Sequence, residues 1–155
     1  MMKFIDEARA YQDNMIEDLR QLVKIESVRD DAAATKEAPF GPNIAKCLDK
    51  ALEIGKRDGF KVENVDGHAG VIQYGDLEES VGVLGHLDVV PIGDGWTFDP
   101  LGGEIKDGYI MGRGTCDDKG PAIAAYYAMK ILKDKGYKLK HNIQVILGTD
   151  EENTS

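Results

Sequence analysis

Three short polar segments hold most of the side chains able to do chemistry. They are Gly85-His86-Leu87-Asp88, the run GRGTCDDKG from Gly112 to Gly120, and Gly148-Thr149-Asp150-Glu151-Glu152. Together they offer one imidazole and several carboxylates, the ligand types of a hydrolytic zinc or manganese site. On an extended segment alternate side chains share a face, so in His86-x-Asp88 the carboxylate can accept the second ring N–H of His86. That bond fixes the tautomer needed for metal binding. Asp117 has two oxygens and can bridge two metals about 3.5–4 Å apart. Glu151 and Glu152 are adjacent and point different ways, so one can bind a metal while the other handles a proton.

Each segment also has a plainer reading. A single His-x-Asp arises often by chance. Asp117-Asp118 ahead of a helix can cap it and complement its dipole. Asp150-Glu151-Glu152 can be a solvated acidic turn. The conjunction of all three carries the argument. His68 and His141 sit in polar loops and read as surface residues, and Cys47 reads as core. Two competing motifs fail. Gly112-x-Gly114-x-x-Asp117 lacks the third glycine of a dinucleotide fingerprint. Lys119-Gly120 lacks the Ser/Thr and the upstream glycine spacing of a phosphate loop.

Positioning such a site requires ordered elements. Residues 4–26 have apolar positions at helical spacing, from Ile5 to Val23. Residues 28–42 have no periodicity and contain Pro39 and Pro42, as expected of a loop. A second helix is expected over the stripe Ile44, Cys47, Leu48, Ala51, Leu52 and Gly55, with Asn43 as N-cap and Gly59 as terminator. Phe60–Val65 and Val71–Tyr74 read as a strand pair around Gly67–Gly70. The run Val81–Leu84 reads as a central buried strand. Glu104–Lys106 and Tyr109–Met111 flank Asp107-Gly108, a two-residue hairpin signal. A helix is expected over 120–135, ended by Gly136, and a buried strand over Ile143–Leu147. Interleaved helices and apolar strands predict an α/β layered fold with a mixed sheet. In such sheets ligands bind beyond the carboxyl ends of strands, where the polar segments fall.

Composition bounds the class of function. A chain of 155 residues fits one domain, with a core large enough to need no staples. Nineteen basic against 28 acidic residues give a net charge of −9, which argues against nucleic acid and against anionic membranes as partners. Two cysteines are too few for a disulfide scaffold and fit a reducing, cytoplasmic compartment. The N-terminal MMKFIDEARAYQDN meets Asp6 and Glu7 before any apolar run, unlike a signal peptide. No apolar stretch is long enough to span a membrane.

GHLDVVPIGDGW, GRGTCDDKGP and GTDEE, in that order, resemble the dinuclear zinc peptidase and amidohydrolase family. That family includes aminoacylase, succinyl-diaminopimelate desuccinylase, acetylornithine deacetylase, carnosinase and PepV-type dipeptidases. The stretch WTFDPLGGEIKDGYIMGRGTCDDKGP and the N-terminal EARAYQDNMIEDLRQLVKIESV are most similar to the PepV type. The resemblance implies a helix/mixed-sheet/helix catalytic domain and hydrolysis of dipeptides through a two-metal-bound water. The implied cofactor is a pair of zinc ions, with manganese or cobalt as substitutes. It implies His86 as ligand of one zinc, Asp88 as the acid orienting it, and Asp117 as the bridging carboxylate. Glu151 would be the general base and Glu152 a ligand of the other zinc. It also implies a cis peptide after Asp117 and places no ligand at Cys116, which is expected to be packed and non-ligating. N-acyl-amino-acid deacylation by the same chemistry, or a non-catalytic binding module, are the alternatives. Two further family ligands, an aspartate and a histidine, would follow residue 155, as would a lid or dimerisation domain. The ending Asn153-Thr154-Ser155 resembles a break inside a loop. Residues 1–155 are therefore expected to be the N-terminal part of a catalytic domain, inactive alone.

Overall fold

The computed structural model describes residues 2–154. Met1 and Ser155, the outer ends of two segments read above, lie outside the described residues. The elements run α1 (Met2–Arg9), α2 (Gln12–Val23), α3 (Pro42–Arg57), β1 (Lys61–Val65), β2 (Ala69–Tyr74), β3 (Ser80–His86), β4 (Glu104–Lys106), β5 (Tyr109–Met111), α4 (Lys119–Asp134), β6 (Asn142–Gly148) and the single turn α5 (Glu151–Thr154).

The expected first helix is two helices. The chain breaks at Ala10 and Tyr11, where Tyr11 turns its ring edge-on to Tyr127 and its hydroxyl to Asp134. A tertiary contact thus overrides an unbroken apolar period. The segment 28–41 is irregular as expected, apart from a short 3₁₀ turn over Asp31–Ala33 that Asp30 caps through its Oδ1. The N-cap of α3 is Gly41 rather than Asn43, because Pro42 fills the first helical position. The expected stripe on α3 is buried along its whole length. It packs on β1 and β2, where a methyl at Gly55 would come within 2.9 Å of Val62.

Four strands form a mixed sheet in the order β1-β2-β6-β3. β1 and β2 form a hairpin turning over residues 66–68, and β6 pairs antiparallel with β2 and parallel with β3. The β4–β5 hairpin turns at Asp107-Gly108, both with positive φ, as that dipeptide predicts. β3 corrects an expectation. Among the described residues it lies at the edge of the sheet rather than in its centre, and Val81, Val83 and Leu84 are exposed. An apolar tetrapeptide shows that a strand can be buried on both faces, not what covers it.

Helices α3 and α4 pack on the sheet face carrying Ile72, Val145 and Leu147. On the opposite face Val71, Ile146 and Leu84 lie in register across three strands. The core gathers Leu22, Val23, Cys47, Leu48, Leu87, Tyr126 and Met129, all nearly inaccessible to solvent. Among the described residues, no helix is long and apolar enough to cross a membrane.

This topology decides where the polar segments meet. β3 and β6 run parallel and end together, with His86 opposite Gly148. Leu87 N–H donates to the Gly148 carbonyl just beyond. The segment after each strand therefore emerges beside the other. The N-terminus of α4 then delivers Asp117 and Asp118 against the His86 segment.

Candidate metal centre

His86 is the hub. Its ring Nδ1 lies 3.1 Å from the Asp88 backbone carbonyl. A carbonyl oxygen only accepts, so Nδ1 is the donor and the neutral ring presents a lone pair at Nε2. That Nε2 faces the Asp117 carboxylate at 3.1 Å and Glu151 at 3.7 Å. In the protonated ring Nε2–H donates to Asp117, and in the neutral ring the same nitrogen offers its lone pair to a metal ion. Burial pushes the His86 pKa down, but the Asp117 hydrogen bond and the nearby charges of Asp88 and Asp118 outweigh it. The net shift is upward.

Donor atoms of His86, Asp117 and Glu152 all lie within 4.8 Å of one another. Ligands at roughly 2.0–2.2 Å from a tetrahedral ion are separated by about 3.4 Å, so the spread fits one ion with small side-chain adjustment. The donor set, one imidazole and two carboxylates, suits zinc and other divalent first-row metals. The Asp117 side chain is mostly exposed, which leaves its second oxygen accessible. The structure thus brings together all three predicted ligands, with Glu151 alongside. Cys116 is exposed rather than packed and lies outside the group.

Asp88 is placed differently from expectation. Its carboxylate is fully buried and is 3.4 Å from the His86 ring. Its shorter contacts are to the backbone N–H groups of Glu151 at 3.1 Å and Glu152 at 3.0 Å, one on each oxygen. Asp88 therefore holds the turn carrying the candidate base and one ligand, while its own carbonyl orients the imidazole.

Other residues supporting the site were not legible as such. Asp118 accepts from the His86 backbone N–H at 3.1 Å. Its Oδ2 passes so close to Gly85 that a Cβ there would lie 2.6 Å away, so position 85 requires glycine. Lys119 is buried, and its ammonium donates to the Leu22 and Ile25 carbonyls at the end of α2. Burial lowers its pKa. Arg29 grips both oxygens of Asp150 at 2.9 and 2.7 Å, tying the 28–41 segment to the Glu151 turn. The peptide bond between Asp117 and Asp118 is cis, as the resemblance implies.

Residues 82–155 match the model of Peptidase family M20/M25/M40. That match places residues 82–155 among sequences similar to M20 peptidases. It is 51% identical over 142 residues to a Staphylococcus epidermidis protein named "Putative dipeptidase", covering 92% of this chain and 30% of the relative. A Staphylococcus haemolyticus protein of the same description is 50% identical over 147 residues, covering 95% and 31%. Among solved structures, human carnosine dipeptidase 1 superposes with a TM-score of 0.81 at 27% identity, over 99% of this chain and 35% of that one. The yeast dipeptidase Dug1p shares the fold, with a TM-score of 0.75 at 21% identity over 96% of this chain and 34% of that one. The chain spans about a third of the length of these proteins.

Proposed function

We propose that these residues are the N-terminal part of the catalytic domain of a cytoplasmic, zinc-dependent dipeptidase. The observation that carries this reading is the convergence of His86, Asp117 and Glu152 donors within 4.8 Å, beside Glu151. The dipeptidase descriptions of the staphylococcal relatives and of the human and yeast structures support the substrate class. The two free cysteines support the compartment.

In this reading His86, Asp117 and Glu152 would hold the ions, with Asp117 as a ligand the two would share. A bound pair of divalent ions supplies a water acidic enough to attack near neutral pH and polarises the scissile carbonyl. Glu151 takes a proton from the attacking water and returns it to the leaving amine. A positioned base of this kind contributes about 10²–10⁴-fold. Asp88 keeps Glu151 and Glu152 in place through their backbone amides. Three ligands for two ions leave each with two protein donors, fewer than the three that catalytic zinc normally holds. Residues 1–155 alone are therefore expected to be inactive, with further ligands supplied by the rest of the protein.

The test compares dipeptides with N-acetyl amino acids as substrates of the full-length protein loaded with zinc. Higher kcat/KM on dipeptides supports the reading. Turnover confined to acylated amino acids would replace it with deacylation, and no turnover of either would refute it.

A further inference from the structure

Beside the candidate metal centre lies an open cavity of about 480 Å³, within the usual size of ligand sites. Its lining includes the polar His86 and Glu151 together with the rings of Phe40 and His68 and with Leu84, which is 76% exposed. Phe40 and His68 come from loops far apart in sequence, yet their rings meet edge to face with centroids 5.2 Å apart. We propose that this Phe40–His68 pair is the wall of a side-chain subsite, selecting dipeptides with an apolar residue next to the scissile bond. The proposal rests on the dipeptidase reading above.

The wall is held in position from several sides. The Arg29 guanidinium lies 5.3 Å from the Phe40 ring centroid while gripping Asp150, the neighbour of Glu151. The Phe40 carbonyl accepts from Asp30 N–H at 3.1 Å. Pro39 packs on the turn carrying His68 so closely that a Cβ on Gly67 would lie 2.6 Å from its ring. The Thr149 hydroxyl lies 3.0 Å from the Gly67 carbonyl and 2.6 Å from the His68 carbonyl. The same short segment thus carries the candidate base and braces the wall. A wall fixed before substrate arrives loses little entropy on binding, which favours selectivity.

The chemistry indicates which part of a dipeptide it meets. Phe40 and Leu84 offer hydrocarbon, which suits an apolar side chain. His68 Nδ1 is 2.9 Å from the Asp66 carbonyl and must be its donor. That bond fixes the ring edge-on to Phe40.

The test uses the full-length protein and two dipeptide series, Xaa-Ala and Ala-Xaa, with Xaa as Gly, Leu or Phe. In Phe40→Ala and His68→Ala, kcat/KM for the Leu and Phe members of one series should fall about 10-fold more than for the Gly member. Phe40→Leu should restore most of the loss for Leu. Should Phe40→Ala misfold, His68→Ala and Phe40→Leu carry the test, since His68 is exposed and braced through its backbone. An equal loss across all substrates, or no loss on any, would overturn the subsite while leaving the dipeptidase reading intact. Absence of dipeptide turnover by the unmutated protein would refute that reading, and the subsite with it.

Discussion

Asp88→Asn isolates the contact on which the geometry of the metal centre depends. Each Asp88 oxygen accepts one backbone N–H, from Glu151 and Glu152, in a fully buried setting. Asparagine keeps one acceptor and turns the other into a donor that faces an N–H. One charge-assisted hydrogen bond is lost, at a cost of about 1.5–3 kcal/mol. The His86 ring keeps its bond to the residue-88 carbonyl, so the imidazole should stay oriented. Without an ion, the Glu151–Thr154 turn can relax and recover part of the cost. With an ion, Glu152 must return to its position, and the cost appears as weakened binding. The expected loss in zinc affinity is about 10–150-fold, similar to other contacts that orient ligands. Competition against a chromophoric chelator on the full-length protein measures it, with a thermal melt as the check on folding. A folded Asp88→Asn protein with zinc affinity within about twofold of the original would refute the reasoning. Asp88 would then have no part in placing Glu152.

Four other outcomes follow from the structure. Glu151→Gln should lower kcat by about 10²–10⁴-fold while zinc content, read by elemental analysis, stays as in the original. Tyr127→Phe removes a 2.6 Å bond to buried Asp18, which Arg57 also grips at 2.7 and 2.8 Å. It should cost about 1.5–3 kcal/mol in denaturant unfolding. In the same network burial raises the Asp58 pKa, but Arg57, Tyr126 and Lys130 outweigh it and the net shift is downward. A depressed carboxylate adds stability above its unfolded pKa and loses it as pH falls through the folded value, so melting temperature should drop on the acid side and Asp58→Asn should flatten that drop. Cys116→Ser should leave kcat/KM within a few-fold, because Cys116 is exposed and outside the donor group.

Much of this arrangement was legible from residue types and spacing. The stripe on α3, the Asp107-Gly108 turn and the strand Ile143–Leu147 each follow from a local rule that tertiary structure leaves intact. The three polar segments were legible because parallel strands end together, which brings the loops after β3 and β6 side by side. What was not legible depended on partners distant in the chain. Nothing local at Tyr11 ends a helix; its contacts with Tyr127 and Asp134 do. The Gly41-Pro42 start of α3 carried a readable signal, proline at the first helical position, that the Asn43 reading passed over. Val81–Leu84 has the composition of a buried strand, yet among the described residues it lies at an edge. The pairing of Phe40 with His68 joins two loops that show no pattern by themselves.

The account depends most on His86, Asp117 and Glu152 holding catalytic metal. Elemental analysis of the purified full-length protein, paired with dipeptide hydrolysis before and after chelation, tests this most directly. The account predicts about two equivalents of zinc per chain. It also predicts loss of activity on chelation, recovery on adding zinc back, and no recovery in His86→Ala. Full hydrolysis by chelated, metal-free protein, or by His86→Ala, would contradict it.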